Sequence, residues 1–248
     1  MKLTNKDKIM IFIGDVHSNW NGIIFHTKLH KLKNEIFVQV GDFGIGFHEE
    51  VYDTKRLLEL NEKLSKKNNK LYVIRGNHDD PKYFQGNHIY SNLKLLKDYT
   101  VLNIEEQNIL FVGGALSVDR VKRDEYQKKH KDRLQWWPNE IFIFDEDKIK
   151  DIKDIDIVVT HTAPKFCPPY SVKSSLIAEM SKNDPTLIQG IIEERNEMEK
   201  LYFALKENNK IKYWFYGHFH NYETFTFEDT KFTLLDENQF YDFPLIKY

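Results

Sequence analysis

The chain has 248 residues, a formal charge of -2 and a pI near 6.6, leaving no global basic field for nucleic acid or an anionic membrane as an obligatory partner. Apolar residues make up 41% and aromatic residues 14%, enough for a substantial core, and no stretch rich in Pro, Gly or Ser divides residues 1–248, so one globular domain is expected. The single cysteine, Cys167, excludes an internal disulfide and a thiolate metal site, while the polar start and the short apolar run after it fit neither a signal peptide nor a membrane span, so a cytoplasmic protein is expected.

In chain order, Ile9 to Ile13 reads as a buried strand running into Gly14-Asp15-Val16-His17, with Ser18 or Asn19 placed to cap a helix that carries Trp20, Ile23 and Ile24 on one face. Ile36 to Val40 is a second such strand, ending in Gly41-Asp42-Phe43-Gly44, and Leu57, Leu60 and Leu64 mark a helix from about Asp53 to Lys67. A third strand, Leu71 to Ile74, delivers Arg75-Gly76-Asn77-His78-Asp79. Apolar strands alternating with amphipathic helices argue a mostly parallel, helix-covered sheet, and in such sheets ligands bind off the carboxyl ends of the strands. All three polar motifs fall there.

A hairpin of Val101 to Ile104 and Ile109 to Val112 comes next, then Gly113-Gly114-Ala115 and an excursion over residues 117–140. The excursion carries Arg120, Lys122, Arg123, Lys128, Lys129, Lys131 and Arg133, and as a mixed-charge run it reads as a solvated face. A strand from Asp156 to Val159 leads to His161. Asp184-Pro185 then reads as the cap and first turn of a helix with Ile188, Ile191, Ile192, Met198, Leu201 and Leu205 inward. Tyr213 to Tyr216 precedes Gly217-His218-Phe219-His220, and Thr224, Thr226, Phe232 and Leu234 belong to a closing hairpin about Glu228-Asp229-Thr230.

The strand ends therefore supply Asp15, His17, Asp42, Asn77, His78, His161, His218 and His220, a nitrogen and oxygen set without sulfur. Such a set suits Mn, Fe or Zn better than calcium. It is too large for one ion with an open position, and about right for two ions sharing one carboxylate, with one group left for proton transfer.

At these residues the chain resembles the calcineurin-like metallophosphoesterases. The family's GDxH stands as Gly14-Asp15-Val16-His17, its GD as Gly41-Asp42, its GNH[DE] as Gly76-Asn77-His78-Asp79, its single histidine as His161 and its GHxH as Gly217-His218-Phe219-His220. The segment Gly113-Gly114-Ala115, with Asp119, Arg120 and Trp136-Trp137-Pro138, is similar to bacterial and phage members. The resemblance implies a four-layer αββα sandwich of two mixed sheets and two divalent ions, manganese foremost, with iron or zinc as alternatives. It implies that Asp15, His17, Asp42 and His220 hold one ion and Asp42, Asn77, His161 and His218 the other. His78 would stand beside the phosphate of the substrate, and a hydroxide bridging the ions would attack phosphorus.

Two divalent ions and two aspartates leave a site of roughly +2 for a phosphate ester, the expected partner. A phosphomonoesterase, protein-phosphatase-like or acting on small esters, is the expected activity. A nuclease or cyclic-nucleotide phosphodiesterase would share every ligand, so nucleic acid enters only as a substrate; a non-catalytic module is disfavoured because every ligand position is filled. One departure stands out. The protein-phosphatase branch continues GD as GDxxDRG, whereas here Gly41-Asp42 is followed by Phe43-Gly44-Ile45-Gly46-Phe47. That makes Arg75 or Arg120 the candidate phosphate grip and Asp79 the candidate partner of His78, with His48 a further candidate near the ligands and Cys167 a small buried residue.

Overall fold

The computed structural model describes residues 9–88, 90–131, 134–171 and 174–245; Arg133 of the excursion and the polar first eight residues lie outside them. The first sheet is built from β1 (Ile9–Ile13), β2 (Ile36–Gln39), β3 (Lys70–Val73) and β4 (Leu93–Leu95), all parallel, with β11 (Phe240–Pro244) antiparallel on the far side of β1. The second sheet runs β5 (Thr100–Ile104), β6 (Gln107–Val112), β7 (Ile157–Thr160), β8 (Tyr213–Tyr216), β10 (Thr230–Leu234) and β9 (Glu223–Phe227). Its three central pairings are parallel and its two outer ones antiparallel.

Why these strands are apolar on consecutive residues follows from the alternation of side chains across a sheet. In β1, Met10 and Phe12 enter the layer between the sheets, where the Phe12 and Phe215 rings stack with centroids 3.6 Å apart and Phe243 meets Phe12 edge-on. Ile11 and Ile13 point the other way, into the layer under α1 (Trp20–Leu29) and α2 (Glu50–Ser65). On the second sheet, Leu110, Val158, Trp214 and Phe232 pack instead against α6 (Leu187–Lys206). Helices, sheet, sheet and helix make the four layers that the resemblance implied.

Local chemistry sets the ends of the elements. The Asn19 side chain caps α1 by accepting from the Gly22 N–H at 3.2 Å. In α2, which starts three residues before the expected Asp53, that aspartate lies buried on the inner face and accepts the Gly46 N–H at 2.9 Å. Between β6 and β7 lie α3 (Arg120–Lys129) and the short α4 (Glu146–Ile149), and α5 (Ser175–Met180) precedes α6.

Three expectations are corrected. Ile188 and Ile192 are 41% and 40% exposed, because the buried stripe of α6 runs through Leu187, Ile191, Glu194, Arg195, Met198, Leu201, Tyr202 and Leu205. Asp184 does not cap α6; its carboxylate takes the Thr186 N–H and O–H, and Thr186 is the cap position. The excursion is a solvated face only in part, since Lys122, Lys128, Lys129 and Lys131 are exposed whereas Arg123 and Trp137 are 6% exposed. Two strands were not expected, β4 with only three residues and β11 with a proline at its end. No helix among the described residues is long and apolar enough to cross a membrane.

Burial on α6 has a measurable consequence. Leu201→Ala is expected to cost about 2–5 kcal/mol of unfolding free energy in a denaturant titration, as a cavity in a packed core does. Ile188→Ala is expected to stay within about 0.5 kcal/mol of the parent.

Candidate metal centre

Five strand ends converge at one edge of the sandwich: Asp15 and His17 follow β1, Asp42 follows β2, Asn77 and His78 follow β3, His161 follows β7, and His218 and His220 follow β8. Their backbones are unusual. His17, Asp42, His218 and His220 all have positive φ, at 42°, 54°, 71° and 46°, a region that costs residues with a side chain energy and that gathers at functional sites. Two glycines make room. Gly41 sits at φ 103°, and a Cβ on it would lie 2.3 Å from His161 Nδ1. A Cβ on Gly76 would lie 2.0 Å from Asp42 Oδ1.

Asp15, His17, Asp42 and His220 bring one ligand atom each to within 4.8 Å of one another. His17 Nε2 lies 3.2 Å from His220 Nε2 and 3.8 Å from Asp42 Oδ2, and His220 Nε2 lies 3.4 Å from Asp15 Oδ2. Glu237, which the sequence reading missed, stands outside this ring at 3.3 Å from His220 Nδ1 and 3.4 Å from His17 Nε2.

A second convergence lies on the other oxygen of Asp42. His161 Nδ1 is 2.8 Å from the Val40 carbonyl, which places a proton there and turns Nε2 toward the centre. That Nε2 is 3.1 Å from Asp42 Oδ1 and 3.2 Å from Asn77 Oδ1. The His218 ring lies 5.1 Å from that of His161, edge to face, while its backbone N–H holds the Asp15 carboxylate at 3.0 Å. Two buried oxygens facing that nitrogen of His161 require a cation or a proton among them. The donor set therefore fits a metal ion at each oxygen of Asp42.

The ionisation of these groups shows the same demand. Burial alone would raise the Asp42 carboxyl, yet His161, His78 and His17 hold it well below the usual carboxylate range. Burial opposes charge on His161 too, but Asp42 and Asp15 push it up to about 10. Burial holds His218 well below the ordinary histidine range, with the His161 charge adding to it. Asp15 is raised by burial despite His161, and the bond to Asp15 raises His220.

His78 is brought to the same edge. Its N–H donates to Asp42 Oδ1 at 2.7 Å, and its ring packs edge-on against His17 at 4.8 Å with Phe47 6.0 Å away. Burial, reinforced by Arg123 and His17, holds its imidazole at about 4 despite Asp42. No carboxylate among the described residues hydrogen-bonds its side chain. Asp79, the expected partner, accepts instead from the backbone N–H groups of Phe43, Gly44, Ile45 and Gly76 at 2.7 to 3.1 Å. Burial and the Asp42 charge push its carboxyl up to about 7 against the pull of those donors.

The expected phosphate grips are also placed otherwise. All five N–H donors of Arg75 are spent, on Asp98 Oδ2 and on the carbonyls of Asn139, Glu140 and Ile141. Arg120 is tied to Asp184 at 2.5 Å and to Thr186 Oγ1. His48 is exposed and packs on Tyr52, its ring centroid 4.9 Å from that ring, so Phe47 and not His48 borders the centre. Cys167 is fully buried, as expected.

The calcineurin-like phosphoesterase family matches residues 10–222, which includes every ligand candidate. No curated protein sequence matches the chain. Among solved structures, the phosphopantetheinyl hydrolase of Mycobacterium tuberculosis superposes with a TM-score of 0.51 at 12% identity, over 95% of this chain and 92% of that one. GAP50, the anchor in the inner membrane complex of Plasmodium, gives 0.46 at 15% identity, over 93% and 72%. With its strand-end motifs, its four layers and a family match over most of its length, the chain belongs to the calcineurin-like phosphoesterases.

Proposed function

We propose that the protein is a dinuclear-metal-dependent phosphoester hydrolase whose substrates are phosphomonoesters. The observation that carries this reading is the split use of Asp42, with Oδ2 facing His17 and Oδ1 facing His161, each at the mouth of its own group of acceptors. Asp15, His17, Asp42 and His220 would hold one ion, and Asp42, Asn77, His161 and His218 the other. Manganese suits this nitrogen and oxygen set, and iron or zinc would also be accepted by it. When bound, the ions supply Lewis acidity at the phosphoryl oxygens and activation of the attacking water.

The chain's own groups do the rest. Asp42 sets the spacing of the two ligand groups, and its hydrogen bond from the His78 N–H keeps that histidine at the same edge. The His78 side chain packs between His17 and Phe47, and its ring N–H would serve the departing side of a bound phosphate. A neutral imidazole there donates a hydrogen bond to charge that grows on the ester oxygen.

A phosphodiesterase reading has its own support. With Arg75 and Arg120 engaged by acids and carbonyls, neither guanidinium offered by the sequence is placed to match the second charge of a monoester. Hydrolysis of aryl phosphate compared with bis-aryl phosphate and with cyclic and linear nucleotides decides between the two.

Three measurements test the proposal. His78→Ala is expected to lower turnover by about 10²–10⁴-fold while metal content stays at the parental level; loss of metal would make His78 a ligand. Asp42→Ala is expected to empty both positions, and a variant that keeps two ions by elemental analysis would contradict the shared carboxylate. Adding Mn²⁺ to chelated protein is expected to raise Tm, since ions bind only the folded site, by the equivalent of about 2.7 kcal/mol at one hundred times Kd. An unchanged Tm would count against the centre itself.

A further inference from the structure

The mixed-charge excursion contains a buried polar cluster that the metal ligands alone do not explain. Ser117 is fully buried, Glu140 is 1% exposed, Asn77 4% and Arg123 6%. Asn77 Nδ2 donates to Ser117 Oγ at 3.0 Å, and Arg123 Nη1 donates to the same oxygen at 2.5 Å. Arg123 Nη1 and Nη2 also reach the Asn77 carbonyl, at 3.5 and 3.4 Å. Glu140 Oε1 takes the Ser117 N–H at 2.8 Å, and its Oε2 lies 3.9 Å from Arg123.

An asparagine amide can turn either end toward a site, and only the oxygen can bind a metal ion. In the neutral form that binds metal, His161 Nε2 is an acceptor like Asp42 Oδ1, and the Asn77 amide left alone would turn its NH2 toward them. What opposes this is the polarity of the Ser117 hydroxyl. A guanidinium only donates, so Arg123 fills one lone pair of Ser117 Oγ. The single hydroxyl proton is left for Glu140, whose Oε1 already takes the N–H of the same serine at 2.8 Å. The lone pair that remains can take only a donor, and Nδ2 of Asn77 is the group that faces it.

We propose that Ser117 and Arg123 are positioning residues that hold the Asn77 amide with Oδ1 toward the second metal position. The proposal rests on the dinuclear reading above and adds to it a part for the segment between β6 and β7. It also gives the buried Arg123 a task other than gripping substrate, since Nη1 and Nη2 are directed at Ser117 Oγ and the Asn77 carbonyl.

The test is metal binding, read without turnover. Purified protein is stripped with chelator and titrated with Mn²⁺ by calorimetry, with electron paramagnetic resonance used to tell a coupled pair of ions from a single one. Wild-type protein is expected to bind two ions and show the coupled signal; if it binds none, the dinuclear reading fails before this proposal is reached. Ser117→Ala and Arg123→Met are each expected to weaken one of the two ions by about 10–100-fold, the usual cost of removing a group that orients a ligand, so that at limiting metal the signal becomes that of a single ion. Two ions bound with parental affinity in a folded variant would overturn the proposal. Should Ser117→Ala not fold, Arg123→Met is read alone.

Asn77→Asp separates orientation from general disruption, because a carboxylate presents oxygen whichever way it turns. In that background the cost of Ser117→Ala is expected to vanish. The same loss with and without Asn77→Asp would show Ser117 to be merely structural and would overturn the assignment.

Discussion

One buried carboxylate ties the loops of the centre together. Asp79 accepts four backbone N–H groups, one from its own turn and three from the loop after β2. Amides in irregular loops have no ladder to satisfy them, and a buried one without a partner costs about 1–3 kcal/mol. By answering four at once, Asp79 makes the turn after β3 and the loop after β2 a single rigid body. Asp42 and His78 are carried on that body, bonded to each other at 2.7 Å. The left-handed backbone of Asp42 persists because the structure around it leaves no other arrangement.

Arginines do the complementary work for loop carbonyls. Arg75 fastens Asn139, Glu140 and Ile141 to the end of β3. Arg195, reaching up from α6, holds the carbonyls of Ala163, Pro164, Cys167 and Pro169, the segment that follows His161. A guanidinium carries five donors in a fixed fork, so one residue can pin several turns of chain that no strand reaches. Anchored loops on rigid sheets are how strand ends hold ligands at fixed separations.

Much of this was legible in the sequence. The apolar runs at Ile9, Ile36 and Leu71 mark strands because both their faces are buried, and polar motifs at their ends mark the ligand edge by a rule of parallel sheets. What was not legible depends on contacts between distant segments. Glu194 and Arg195 lie on the buried stripe of α6 because they serve neighbouring loops, and their polarity shifted the apparent apolar face onto Ile188 and Ile192. Arg75 sits beside the ligands in sequence, yet its partners are 23 and 64 to 66 residues away. Glu237 follows the family motifs by more than a dozen residues, and no local pattern announces that it touches two of their histidines.

The return of β11 to the first sheet bears on how the chain folds. Ile9 pairs with Pro244 and Ile13 with Phe240, so β1, the first described strand to be synthesised, has one edge covered only by the last. Between them the chain completes the three other strands of that sheet and the whole of the second. Pairings of such sequence separation are slow to form, since loop closure must be met before the contacts compensate it. Until residues 240–244 emerge, the backbone of β1 offers unpaired N–H and C=O groups to any strand that comes near. Growth on the ribosome therefore leaves a nascent protein whose ligand loops are all made while the sheet that carries three of those five loops is still open.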